Sequence, residues 1–108
     1  MAETVIRAGD SPLTLINVFS VDPARQDELV ALLTDATEKL MKPRPGFVSA
    51  NIHAGLDGAT VVNYAQWRSR EDFEAMLADA EVGVHFREIS AVATADPRLF
   101  TVVSVHHS

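Results

Sequence analysis

Apolar side chains recur along this chain with two periods, one near two residues and one near 3.6. Residues 13–21, LTLINVFSV, form a β-branched apolar run without glycine or proline, the pattern of a strand buried on at least one face. Asp22-Pro23 follows, an Asx N-cap with proline at the first helical position. Leu29, Leu33, Ala36 and Leu40 then return at helical spacing before Pro43. A first helix is predicted from about Pro23 to Met41. Pro43-Arg44-Pro45-Gly46 breaks the chain, and Phe47 to Ala54 is extended again. Asp57-Gly58 is a hairpin signal that joins this strand to the next, Thr60 to Arg68. Ser69 is placed to cap a short helix bearing Phe73, Met76 and Leu77, and a second helical stretch carries Val82, Phe86, Ile89 and Ala93 until Asp96-Pro97 ends it. Leu99 to His106 reads as a fourth strand.

The order β-α-β-β-α-β is the ferredoxin-like unit of an α+β fold with an antiparallel sheet. Residues 1–12 are expected to be an N-terminal arm and 13–108 a single domain. In this topology helices cover one sheet face, and the other should be polar if it meets water. Leu15, Asn17 and Phe19 point one way and Ile16 and Val18 the other; Val61, Asn63, Ala65 and Trp67 oppose Val62, Tyr64 and Gln66. Both faces carry apolar side chains, so a second cover is needed, and the simplest is another copy of the chain. A homodimer is expected.

Composition narrows the function. A chain of 108 residues with 47% hydrophobic and 22% charged residues folds around one core and holds no apolar run long enough to span a membrane. It has no cysteine, which excludes disulfides, thiolate-bound metals and cysteine nucleophiles and agrees with a cytoplasmic location. The first residues, MAETVIRAGDSP, lack the basic and long apolar stretches of a secretion signal. A net charge of -6, with no basic run, disfavours nucleic acid and anionic lipid surfaces as partners.

The third strand is the most informative segment. Asn63 and Trp67 lie four residues apart, on one strand face and about 13 Å from each other, a span a fused-ring ligand can bridge. Asparagine is depleted in strand interiors, so Asn63 requires an explanation. One is structural: Asn63 satisfies a backbone group at a bulge and Trp67 fills the core. Asn17 favours another, because by period it shares the face of Leu15 and Phe19. If helices cover that face, two amides and an indole N–H converge on one cavity, a donor set better suited to an oxyanion or phenolate than to a metal. His53, His85, His106 and His107 have no metal-binding spacing. His85 flanks the Val82, Phe86, Ile89 stripe and is either a half-buried helix-edge residue or a border of the cavity. No nucleotide-cradling glycine loop and no nucleophile elbow occurs, so no cofactor is expected.

The stretch PGFVSANIHAGLDGATVVNYAQWRSREDFEAML, Pro45 to Leu77, with V-V-N-Y-A-Q-W at its centre, resembles the antibiotic-biosynthesis monooxygenase family, and the likeness extends over Leu13 to Val105. The resemblance implies a dimeric α+β barrel and a cofactor-independent monooxygenase that converts a phenolic, anthrone-like aromatic to a quinone with O2. It implies that Asn63 and Trp67 line the substrate cavity with Asn17 beside them. It carries two further substrate-binding positions onto Phe73 and Arg87, the first a phenylalanine where one such enzyme has tyrosine. A second branch of the family degrades haem, with an iron-ligating histidine that falls on or beside Phe86; only His85 could serve here. A non-catalytic dimer that binds a small metabolite is the alternative from a different class.

Overall fold

The computed structural model describes residues 2–108; Met1, the first residue of the expected arm, lies outside the described residues. Four strands, β1 (Gly9–Val21), β2 (Phe47–Ala54), β3 (Thr60–Trp67) and β4 (Ala93–Val102), form one sheet in the order β2-β3-β1-β4. Every neighbouring pair is antiparallel. Helices α1 (Gln26–Ala36), α2 (Arg70–Leu77) and α3 (Ala80–Ser90) cover one face, as the ferredoxin-like order requires.

Local chemistry sets the boundaries. The Asp22 carboxylate accepts from the Ala24 N–H at 2.8 Å, and Pro23 opens a 3-10 turn (Pro23–Arg25) that leads into α1. Ser69 caps α2 by accepting from the Asp72 N–H at 3.2 Å, and Asp79 caps α3 by accepting from the N–H groups of Glu81 and Val82. The Asp57-Gly58 turn forms with Gly58 at φ +77, and the Asp57 side chain accepts from the Ala59 N–H.

Three details depart from the periodicity. The first helix ends in a π-helical turn, Thr37–Met41, closed by a hydrogen bond from the Lys42 N–H to the Thr37 carbonyl at 2.9 Å. A wider turn advances the phase by about one residue, so Met41, not Leu40, follows Leu33 and Ala36 onto the inner face. The second correction concerns Asp96-Pro97, which lies inside β4 instead of ending a helix, and Ala93 starts that strand. β4 is an edge strand, where a proline without an N–H leaves no ladder bond broken. Third, β4 stops at Val102, not His106, because its partner β1 begins at Gly9 opposite Val102 and offers nothing to pair with beyond. β1 likewise starts four residues before Leu13, so residues 9–12 of the expected arm belong to the sheet.

The core divides in two. Leu15, Ala65, Trp67, Phe73, Met76 and Val82 pack at one end of the sheet, and Phe19, Val21, Leu29, Leu33, Val61 and Ile89 at the other. Between these clusters, on the same inner face, stand Asn17 and Asn63. The opposite face is mixed: Ile16, Val62 and Tyr64 are half-buried, Val18 and Phe100 are exposed, and part of it lies under the N-terminal arm, where Val5 accepts a hydrogen bond from Gln66 and Thr4 bonds Asn51. No helix among the described residues is long and apolar enough to cross a membrane.

Candidate functional site

Where the two core clusters part, a cavity of about 310 Å³ opens between the sheet and the helices. Its floor is the inner sheet face: Leu15, Asn17 and Phe19 of β1, Asn63, Ala65 and Trp67 of β3, Ala50 of β2, and Ala95 and Pro97 of β4. Its roof carries Leu33, Ala36, Thr37 and Met41 from the first helix, Phe73, Met76 and Leu77 from α2, and Phe86, Ile89 and Ser90 from α3. The π-helical turn is what brings both Thr37 and Met41 into this roof; the Thr37 hydroxyl donates to the Leu33 carbonyl at 2.8 Å and keeps a lone pair to offer.

Asn17 and Asn63 are direct cross-strand partners. Side chains so paired stand about 5 Å apart at Cβ and leave the sheet in the same direction. The Oδ1 atoms of both are buried without a hydrogen-bond partner. Buried amides are normally satisfied, so two orphans side by side in an apolar hollow make this pair the candidate contact for a polar guest. A carboxamide carries one acceptor and two donors, so this pair can present either kind of group to a ligand. The bulge reading of Asn63 does not apply: β1–β3 pairing is regular from Leu13↔Trp67 to Ser20↔Thr60, and the register shift in β2–β3 falls at Phe47–Ser49, outside Asn63.

Trp67 closes the far end, 2% exposed. Phe47 meets it edge-on, with ring centroids 5.5 Å apart, and Phe73 packs on it at 6.4 Å. The indole is thus fixed by neighbours that offer no polar atoms of their own. Behind it the chain is tied: the Arg68 N–H donates to the Gly46 carbonyl at 2.7 Å, and the Arg68 guanidinium and the Ser69 hydroxyl both hold the Asp72 carboxylate. Gly46 has φ +82 and lies against Asp72, where a Cβ would overlap the carboxylate, so glycine is required there.

The structure therefore brings Asn17, Asn63, Trp67 and Phe73 into one cavity. It does not bring His85 and Arg87 to the cavity wall. Phe86 lies on the wall at the margin of the buried Val82–Ile89 stripe of α3, and each residue to either side turns about 100° from it. Arg87 is exposed, with a guanidinium nitrogen 3.9 Å from where a Cβ on Gly83 would stand, so its side chain runs back along the helix surface. His85 is half-buried beside the stripe; its Nδ1 lies 3.6 Å from a Glu88 carboxylate oxygen, too long for a hydrogen bond. Thr37, Met41, Ser90, Ala95 and Pro97 belong to the wall without having been apparent in the sequence, because a π turn and the pairing register of an edge strand put them there.

No wall residue of the cavity carries an ionisable side chain. Nor is there any group of three or more His, Cys, Asp or Glu among the described residues that could hold a metal ion. An ion pair clamps the roof from outside: the Arg44 guanidinium donates to the Asp79 carboxylate at 2.8 Å and to the Ala75 carbonyl at 3.2 Å, joining the α2–α3 corner to the loop before β2. That hydrogen bond from Arg44, with those from the Val82 and Glu81 N–H groups, holds the Asp79 carboxyl below the usual carboxylate range.

Comparison with known proteins agrees with this architecture. Residues 12–88 match the family described as antibiotic biosynthesis monooxygenase. The chain is 50% identical over 84 residues, 78% of its own length and 75% of the relative's, to the tetracenomycin-F1 monooxygenase of Streptomyces glaucescens. Among solved structures it is similar to SnoaB, a cofactor-independent oxygenase from Streptomyces nogalater, with TM-score 0.73 and 27% identity, covering 86% of this chain and 94% of that one. It is similar also to a monooxygenase from the gene ActVA-Orf6 of Streptomyces coelicolor in complex with nanaomycin D, with TM-score 0.78 and 30% identity, covering 90% and 92%.

Proposed function

The chain belongs to the antibiotic biosynthesis monooxygenase family and is a monooxygenase of the cofactor-independent kind, and from that premise we propose that it oxidises a phenolic, anthrone-like polycyclic aromatic to a quinone with O2. The observation that carries this reading is the Asn17–Asn63 pair, two amides side by side, each with a buried Oδ1 that has no partner, in an apolar cavity that ends on Trp67. The relatives named for tetracenomycin F1 and holding nanaomycin D support a polycyclic aromatic as the class of substrate.

The reaction asks the protein for little covalent chemistry. An anthrone ionises through its phenolic tautomer, and the amide N–H groups, with the indole N–H, stabilise the oxyanion by hydrogen bonds in a site of low dielectric. The electron-rich anion gives one electron to O2. The carbon-centred radical and superoxide, held together by the apolar walls, combine into a C–O bond. The resulting peroxide anion takes up a proton, and loss of water with the remaining C–H proton leaves the carbonyl. One O2 is consumed; one oxygen enters the product and one leaves as water, so the substrate itself supplies all four electrons.

The haem-degrading alternative needs an iron-ligating histidine in the cavity, and α3 gives the wall Phe86, Ile89 and Ser90, with His85 off the wall. The metabolite-binding alternative is decided by turnover. Purified enzyme treated with a chelator and given no flavin is expected to consume O2 and to form quinone from dihydroxyanthrone in a ratio of one to one, faster than buffer at the same pH. Uptake no faster than buffer would refute the reading.

Because no ionisable side chain lines the cavity, the pH dependence of kcat/KM should have a single rising limb set by the substrate. Two anthrones of different acidity should move that limb by the difference between their pKa values. A bell-shaped profile, or a limb at one pH for both, would require a protein group that acts as base.

We also place a second copy of the chain over the helix-free sheet face, where Val18 and Phe100 are 38% and 43% exposed beside half-buried Ile16, Val62 and Tyr64. Light scattering at micromolar concentration should give twice the 11.7 kDa chain mass. Val18→Lys should shift the species toward the monomer, since a charge there would be desolvated by the partner.

A further inference from the structure

Five residues of the cavity wall are exposed, Ser90 on the roof among them, and they mark where the cavity meets the surface. Leu77 and Phe86, 47% and 39% exposed, stand on the roof, and Ala95 and Pro97, also exposed, stand on the floor beneath. The other wall residues on β1 and β3 are buried or half-buried. β4 is the edge strand, and the helices cover the sheet without sealing its inner face there.

Sheet register then orders what a ligand meets. Pro97 pairs with Asn17, and Asn17 pairs with Asn63, so the three lie in one row across β4, β1 and β3. The row spans two strand spacings, roughly 10 Å, the scale of a fused-ring aromatic lying across the strands. A guest passing over Pro97 reaches Asn17 first and Asn63 second.

We propose that the gap between Phe86 on α3 and Ala95–Pro97 on β4 is the substrate entrance, and that Phe86 and Ala95 determine how many fused rings pass. Resting on the aromatic substrate proposed above, this assigns unequal places to the two amides. Asn63 holds the leading, oxygen-bearing ring over β3, while the trailing ring lies against Asn17 and between Phe86 and Pro97. The jaws, Phe86, Ala95 and Pro97, are apolar and planar or small, so a flat ring enters edge-on with only the Ser90 hydroxyl as a polar neighbour on the exposed rim. Residue 95 is alanine, and its lone methyl group leaves the lower jaw open; a larger side chain there would narrow the gap without touching either amide.

The chain has one tryptophan, and Trp67 closes the inner end of the cavity, so its fluorescence reports occupancy. Stopped-flow quenching by two quinones that are not consumed, a three-ring dihydroxyanthraquinone and a two-ring hydroxynaphthoquinone, separates binding from oxidation. Ala95→Phe should slow association of the three-ring quinone at least about ten-fold and of the two-ring quinone less than about three-fold, the leverage a single pocket contact has over size. Phe86→Ala should speed entry of the three-ring quinone and reduce that discrimination. Val84→Ala, exposed on the same helix and off the wall, should change neither rate. A folded Ala95→Phe protein that binds the three-ring quinone at the wild-type rate would overturn the entrance. If Ala95→Phe does not fold, Phe86→Ala decides, and wild-type rates for both quinones in that variant overturn it equally. The oxidation reading fails separately, as absent O2 uptake with an anthrone in a protein whose Trp67 is quenched normally.

Discussion

Asn63→Ala should lower turnover of an anthrone by roughly 100-fold, the order observed when one donor to a developing oxyanion is removed. Its stability should hold or rise slightly. The Oδ1 of Asn63 makes no hydrogen bond in the folded chain, so truncation removes an unsatisfied polar atom from an apolar cavity, and the methyl that remains faces space already present. Loss of rate without loss of stability separates a ligand-directed amide from a structural one, whose removal would orphan its partner. Asn17→Ala should cost less, about ten-fold, because the outer amide meets the less charged end of the substrate. The two changes should not multiply in the double variant, since cross-strand neighbours aimed at one ligand act as a unit. Oxygen-electrode rates and thermal melts of the three variants suffice. Full activity in folded Asn63→Ala would mean that the oxyanion is held by something other than this amide.

Trp67 produces the largest expected effect on folding. Trp67→Ala should destabilise by about 3–5 kcal/mol, because a buried indole wedged between Phe47 and Phe73 leaves a void that rigid strand and helix ends cannot close. That variant tests packing alone. Trp67→Phe keeps an aromatic ring in the same slot and deletes the N–H. If the indole donates to the substrate, kcat should fall roughly ten-fold while the melting temperature drops only by a few degrees. If Trp67 serves as packing only, the order reverses: stability falls and the rate per folded molecule holds. Denaturant titration and single-turnover rates on one preparation distinguish these results. They also separate Trp67 from Asn63, whose variant moves rate and spares stability.

The structure explains why these two residues, only four apart in sequence, are expected to respond so differently. Trp67 ends β3 inside the cluster of Leu15, Ala65, Phe73 and Met76, where volume dominates. Asn63 stands between that cluster and the one around Phe19 and Val61, where the core is interrupted and nothing fills the gap. An interruption of this kind costs packing energy, and the chain tolerates it because both halves retain large buried side chains, Trp67 in one and Leu29 in the other.

What the sequence determined by itself is local. Period-2 alternation in LTLINVFSV and TVVNYAQW fixed which side chains share a face, because successive strand residues must point oppositely. That grouped Asn17 with Leu15 and Phe19 and Asn63 with Trp67, while packing put both groups under the helices. Asp22-Pro23, Ser69 and Asp57-Gly58 marked boundaries through hydrogen bonds that span two or three residues. Tertiary structure decided everything that depends on how distant segments meet. Register made Asn17 and Asn63 direct partners and put Pro97 next in their row, although Asp96-Pro97 alone reads as a helix stop; an edge strand removed the penalty for proline. The π-helical turn moved Met41 into the roof in place of Leu40, and α3 put Phe86 on the cavity wall while half-buried His85 and exposed Arg87 stayed off it. Periodicity specifies a face within one element to about one residue, whereas a cavity is bounded by several elements whose relative phase is set only when their side chains pack.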